Sequence, residues 1–319
     1  MKAMRLLRPA TADDFNETGY LQANVDVAAD VAAGTCPSGR AHFDIFGVAE
    51  GRLQRVCIPG EWKAEKLARV RPLLSAGVEC RDYATHLDCL TDALRDEFSI
   101  IPTDNVSAHE YDDRALGLLQ RHAEGLVLDC GAGSRNTYYD HVVNYEIVAY
   151  DSTDVLGVAE RLPFRDDSFD AVVSLNVLEH VKDPFQAARE LMRVLKPGGE
   201  LMCVAPFLQP LHGYPHHYYN MTSQGWLNLF APLVEKRTEV YGALRPIWAL
   251  NWFLNSYCNG LAPDAQGQFR SMTVAELMAS PLSLEAMTFV SDLSASATTE
   301  LASAHALFAR KPPGMLGGA

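Results

Sequence analysis

The chain lacks any run of 18 uncharged apolar residues, so no part of it reads as a membrane-spanning helix. Its first residues include positive charges but no apolar core of the length a secretory signal needs, and none is expected. The seven cysteines, Cys36, Cys57, Cys80, Cys89, Cys130, Cys203 and Cys258, are odd in number and not closely paired in spacing. That pattern argues against a disulfide scaffold and a tetrathiolate zinc site, and leaves a reducing, cytoplasmic setting as the default. Positive charge is also short: 27 Lys and Arg against 40 Asp and Glu leave a net charge of -13, which disfavours a polyanion and argues against a nucleic acid substrate. The densest basic stretch, residues 63–71, has helical spacing and reads as a solvated face. Internal repeats and coiled-coil heptads are absent as well.

What is present is organised around residues 125–135. Leu126, Val127 and Leu128 suit a strand buried on both faces of a parallel sheet, Asp129 ends the run, and Gly131 and Gly133 let the chain turn and approach a ligand. A second apolar stretch, 146–151, ends in Asp151, a carboxylate suited to the hydroxyls of a ribose. Downstream, Leu162 and Phe164 anchor a loop, 170–175 reads as a central strand and 184–194 as a helix. Lys196-Pro197-Gly198-Gly199 reads as a tight turn and 200–205 as the next strand. Alternation of strand and helix implies a doubly wound parallel sheet with ligands at the carboxyl ends of its strands.

Residues 1–106 read as an accessory region. Its expected elements are a short helix at 26–33, hairpin-like strands at 42–46 and 53–58, and helices at 61–74 and 83–98. A linker follows at 102–107, and a helix at 110–122 leads into the first strand, with Tyr111 placed to reach the ligand end of the sheet. Beyond the sheet, a helix is expected at 223–230 and a strand at 234–240. The following segment, 241–261, is dense in aromatics and contains a single basic residue, Arg245, which favours an active-site cover or a homodimer contact over a helix lying on a membrane. A helix at 284–303 and a terminal strand at 305–310 close the domain, and 312–319 is expected to be a flexible tail.

Four motifs in order carry a family likeness: residues 126–133, then Leu162-Pro163-Phe164 with Asp167-Ser168-Phe169-Asp170, then Asn176-Val177-Leu178-Glu179-His180 with Asp183-Pro184, then 194–199. On these the region 107–311 resembles the class I S-adenosylmethionine-dependent methyltransferases that modify small molecules. The resemblance implies an α/β fold: a Rossmann-like, doubly wound, seven-stranded mixed sheet of order 3-2-1-4-5-7-6 with the last strand antiparallel. An aromatic-rich helical insertion lies near 241–285, and the N-terminal region is appended. It also implies S-adenosyl-L-methionine as cofactor. Asp129, Gly131 and Gly133 would line its methionine part, Asp151 its ribose, and Asn176 the transferring methyl or the methionine. Many relatives have an aspartate where this chain has Val158, so the backbone of Ala159 or the carboxylate of Glu160 is expected to serve the adenine. Relatives usually have a third glycine after the second, whereas Ser134 and Arg135 stand here. Arg135 pairs with the cofactor carboxylate, pairs with an acidic substrate, or faces solvent.

The cofactor brings an electrophilic methyl, so the protein has to align the acceptor and, for a hydroxyl, remove a proton. Histidine suits that task. His180 after the fourth strand and His216 and His217 after the fifth are the candidate bases. A metal site of His212, His216 and His217 lacks an accompanying carboxylate at a convincing spacing, and no metal is expected. The expected function is methyl transfer to a hydroxyl oxygen of a small molecule, a sugar or secondary metabolite. An N- or C-methyltransferase, or a noncatalytic S-adenosylmethionine-binding scaffold, is the alternative.

Overall fold

The computed structural model describes residues 2–101, 108, 110–213 and 216–306. The chain divides into two compact units, one of residues 1–205 with 214–238 and one of 206–213 with 239–319.

The first unit contains a seven-stranded mixed sheet. From one edge its strands run Leu195–Val204, Phe169–Leu175, Val127–Cys130, Val142–Glu146, Val155–Leu156, Leu87–Asp88 and Arg81–Asp82. Every neighbouring pair is parallel except the last, which is an antiparallel hairpin. The first five strands give the expected central order 3-2-1-4-5. The count of seven is completed beyond the third strand by the N-terminal hairpin, not beyond the fifth by a sixth and seventh strand. The terminal strand expected at 305–310 lies mostly outside the described residues. Residues on both sides of 106 share this unit because the first hundred supply two of its strands.

Val127, Leu128, Val172 and Val173 are fully buried, as a central strand covered on both faces requires. Helix Pro184–Val194 covers one face through Ala187, Ala188, Leu191 and Val194, and starts where expected: Asp183 caps the Gln186 amide and Pro184 occupies the first turn. Helix Asp113–Arg121 covers the other face through Ala115, Leu118 and Leu119.

Several local expectations change. The second strand is Val142–Glu146, ending five residues before Asp151. Residues 42–46 are helical, running from Gly39–His42 into a π turn at Phe43–Gly47. The stretch 83–98 is divided between strand Leu87–Asp88 and helix Asp92–Phe98. Residues 234–240 form no strand, and Val234 and Val240 are exposed. Cys80 and Cys89 form a disulfide, which the spacing in sequence did not suggest; the hairpin between them closes that distance. In the second unit, helix Pro246–Asn259 contributes Cys258 to a small core with Leu261, Ala265, Phe269 and Phe289, while Ile247, Trp248 and Leu250 are exposed. The long helix expected at 284–303 is a set of short ones, Pro281–Leu284, Thr288–Ser291 and Ala295–Glu300.

The basic stretch read as a solvated face is partly interior. On helix Gly60–Val70, Lys63 and Lys66 are 2% and 1% exposed. Lys63 Nζ donates to the Thr153 carbonyl at 2.6 Å and pairs with Asp154 at 3.2 Å. Lys66 Nζ donates to the Val142 carbonyl at 2.6 Å and to Asp154 at 2.9 Å, and lies 3.4 Å from the Tyr138 ring centroid. Burial lowers the Lys66 pKa to about 8 against the pull of Asp154, while the two lysines outweigh burial and keep the Asp154 carboxyl below its ordinary value. Breaking such a cluster strands buried charge. Asp154→Ala should therefore cost about 3–5 kcal/mol of stability in urea unfolding, and a loss below about 1 kcal/mol would show that the lysines find other partners.

Candidate active site

In the order 3-2-1-4-5 the chain reverses direction between strands Val127–Cys130 and Phe169–Leu175, and a ligand crevice is expected at their carboxyl ends. Asp129 lies there, fully buried. Its Oδ2 accepts from Arg135 Nε at 2.9 Å and Nη2 at 2.7 Å, and from the Tyr111 hydroxyl. The guanidinium sits 4.0 Å over the Tyr111 ring. Among the described residues Asp129 Oδ1 has no hydrogen-bond partner. Burial opposes the charge on Arg135, yet Asp129 and Tyr111 raise its pKa, and burial with the adjacent carboxylate raises the Tyr111 pKa so that it remains a donor. Arg135 is thus turned inward onto Asp129. The solvent-facing option is excluded because the side chain is buried, and the carboxylate it pairs with here is Asp129.

Gly131 has φ +77°, and a Cβ there would lie 2.3 Å from Val177 Cγ2, so only glycine lets the loops after the first and fourth strands meet. The Gly133 amide donates to Glu146 Oε2 at 2.7 Å, and Oε1 accepts from the Ile147 amide at 2.7 Å. Glu146, not Asp151, is therefore the acid that ends the second strand beside the glycine loop, and burial raises its pKa. Asp151 sits exposed in a turn. Glu146 is hidden in the sequence because Asn144 interrupts the apolar run, although Val142 and Val143 announce the strand upstream of it.

Leu156, which ends the third strand, and Val158, Ala159 and Glu160 after it are all buried. Glu160 Oε1 accepts from the amides of Lys182 at 3.1 Å and Asp183 at 3.4 Å, which ties this side chain to the loop after strand four. Asn176, just after the fourth strand, is exposed in the left-handed region at φ 57°, a conformation asparagine tolerates. His180 Nδ1 donates to the His216 carbonyl at 2.7 Å, His216 Nε2 to the Ser99 carbonyl at 3.1 Å, and His217 Nε2 bonds Asn220 Oδ1 at 2.8 Å. The rings of His180 and His217 are 5.6 Å apart, edge to face.

Fold and crevice define a Rossmann-like nucleotide-binding domain. Residues 128–203 match the family described as "Methyltransferase domain", and this segment is a methyltransferase domain of the class I type. It is similar to the ubiquinone/menaquinone biosynthesis C-methyltransferase UbiE of Hahella chejuensis, 42% identical over 83 residues, 26% of this chain and 33% of that protein. It is also similar to the demethylmenaquinone methyltransferase of Renibacterium salmoninarum, 48% identical over 59 residues, 18% of this chain and 24% of that protein. The chain thus spans about a third or less of these relatives' length. Among solved structures, phosphoethanolamine N-methyltransferase 2 of Haemonchus contortus with S-adenosyl-L-methionine is similar at 17% identity and a TM-score of 0.31, over 51% of this chain and 47% of that one. Among the described residues no helix is long and apolar enough to cross a membrane.

Glu179, beside His180, is fully buried, and burial raises its pKa from 4.5 to about 8. The folded protein therefore holds this proton more tightly than the unfolded chain, and the associated stability is complete below pH 4.5 and is lost as pH rises through about 8. Glu179→Gln, which does not titrate, should gain in thermal midpoint on the wild type as pH rises from about 5 to about 8. A midpoint difference constant across that range would contradict the shift.

Proposed function

We propose that the chain is an S-adenosylmethionine-dependent methyltransferase acting on a hydroxyl oxygen of a small molecule, a sugar or secondary metabolite. The carrying observation is Asp129: one oxygen is held by Arg135 and Tyr111, while the other, buried at the glycine loop, has no partner among the described residues. A buried acceptor left in that state fits an ammonium group, and the methionine end of the cofactor carries one. Gly131 and Gly133 leave room for that end, and Glu146 replaces Asp151 as the acid for the ribose hydroxyls. When bound, the cofactor supplies a methyl group on a positively charged sulfur.

The protein's own share is alignment and proton removal. His180 is the base in this reading: the His216 carbonyl holds the proton on Nδ1, and Nε2, 3.8 Å from Glu179 Oε1, is the nitrogen that would accept from a hydroxyl. His217 flanks that ring, and His216 serves as a tether through Ser99. Asn176 positions the reacting end of the ligands from the loop beside Gly131. Transfer to carbon is the second reading, favoured by the similarity to a protein named as a C-methyltransferase. The partners are a small-molecule acceptor and, through the exposed Ile247, Trp248 and Leu250, a second copy of the chain in the cytoplasm.

Calorimetry with S-adenosylhomocysteine tests the cofactor site. Asp129→Asn and Glu146→Gln should each weaken binding by roughly tenfold or more, the worth of a charge-assisted hydrogen bond, with Asp151→Ala within about twofold of wild type. Preference for a nicotinamide cofactor, or undiminished affinity in the first two variants, would overturn the assignment.

A further inference from the structure

We propose that Ser152, in the segment between the second and third strands, is a positioning residue for the cofactor: its hydroxyl clasps the glycine loop so that Arg135 stays folded onto Asp129. This rests on the S-adenosylmethionine reading above. Parallel neighbours in a sheet are usually joined through a helix, which would carry the end of such a loop in its own first turn. Residues 131–141 hold no helix. They continue instead into strand Thr137–Tyr139, which pairs antiparallel with Ala3–Arg5, and the Leu6 amide donates to the Asn136 carbonyl at 2.7 Å. The accessory region thus closes the downstream end of the loop.

Between that end and Gly133 the fastening is Ser152. Its Oγ accepts from the Arg135 amide at 3.0 Å and donates to the Gly133 carbonyl at 3.4 Å, bridging the residues on either side of Ser134. Ser134, Arg135 and Ser152 are all buried, so losing the hydroxyl would leave the Arg135 amide short of an acceptor where water does not reach. Ser152 is itself held from the other side. Asn144 Nδ2 donates to its carbonyl at 2.8 Å, and the next two residues, Thr153 and Asp154, are bonded by Lys63 and Lys66. The hydroxyl is therefore placed by the buried ionic cluster. From the backbone position it fixes, Arg135 engages Oδ2 of Asp129 through Nε and Nη2, and Oδ1 is the oxygen that the reading above gives to the cofactor's ammonium. Without the clasp the loop populates arrangements in which the guanidinium leaves Asp129, and apparent affinity falls with the fraction of competent loops.

Calorimetry with S-adenosylhomocysteine on the full chain tests this in Ser152→Ala, Arg135→Ala and the double variant, each checked for folding by circular dichroism. Ser152→Ala should weaken binding by about tenfold, the worth of one buried donor left unpaired. On top of Arg135→Ala it should cost less than about twofold, because a residue that acts through Arg135 then has nothing to position. Hydrogen exchange of residues 131–136 without ligand supplies a second reading: the wild-type loop should be protected, and Ser152→Ala should speed its exchange by about tenfold. Affinity of Ser152→Ala within about twofold of wild type, or full additivity in the double variant, would overturn the positioning role. Exchange of the wild-type loop as fast as an unstructured peptide would overturn the clasp, whether or not the variants fold. Failure of the wild type to bind S-adenosylhomocysteine would overturn the cofactor reading and the positioning role with it, even where exchange shows the clasp to be formed.

Discussion

Asp154 is a carboxylate with no exposed surface, and much of the first unit is arranged so that this charge is not alone. The Lys63 and Lys66 ammonium groups reach it from the accessory helix, the Tyr138 hydroxyl donates to it, and the Asn144 amide donates at 2.9 Å. Isolated, such a charge would be prohibitively expensive in the interior, and its partners are therefore constrained in position as well as in charge. The same two lysines bond the carbonyls of Val142 and Thr153, which start the second strand and precede the third. The accessory helix is thereby fixed to the two strands whose far ends carry Glu146 and Val158. An element far from these strands in sequence thus sets their spacing.

Asp129 meets the same constraint with a different outcome. Arg135 and Tyr111 neutralise and orient it through one oxygen, and the second oxygen keeps its capacity to accept. A glycine in place of Arg135 would leave the buried carboxylate with the Tyr111 hydroxyl as its main donor. The departure from the third glycine expected at this loop is thus compensated within the loop itself: the guanidinium folds back over Tyr111 instead of entering the space above Gly131 and Gly133.

The parts legible in the sequence are those where local chemistry and tertiary packing agree. The first strand, the helix opened by Asp183 and Pro184, and the glycine loop were all readable, since fully apolar runs, caps and turn glycines carry their own signals. The second strand was misplaced because its centre, Asn144, is polar and buried, satisfied by the Ser152 carbonyl and Asp154, while Ile147 and Val148 beyond it mimic a strand. Lys63 and Lys66 looked like surface because burial of a lysine depends on an acid some ninety residues away. In the same way, Leu87, Leu90, Leu94 and Phe98 have helical spacing, but Leu87 pairs with Val155 in the sheet and Thr91 caps a helix that starts only at Asp92. In each case a nonlocal partner decided the outcome, and a local pattern could not contain it.

The histidines are informative for what they join. His180 follows the fourth strand, His216 follows the fifth, and Ser99 caps the end of helix Asp92–Phe98; two hydrogen bonds run from the first to the second and from the second to the third. Because a carbonyl can only accept, each bond fixes a proton on a particular ring nitrogen, Nδ1 in His180, whose Nε2 lies 3.8 Å from Glu179 Oε1. The same bonds tie the loop bearing the candidate base to the segment that packs over Val158. Displacing helix Asp92–Phe98 would therefore move the His216 backbone and with it the acceptor of the His180 Nδ1 proton. The loop after the fourth strand, the segment around His216 and the end of helix Asp92–Phe98 are thus mechanically one assembly, although they come from widely separated parts of the chain.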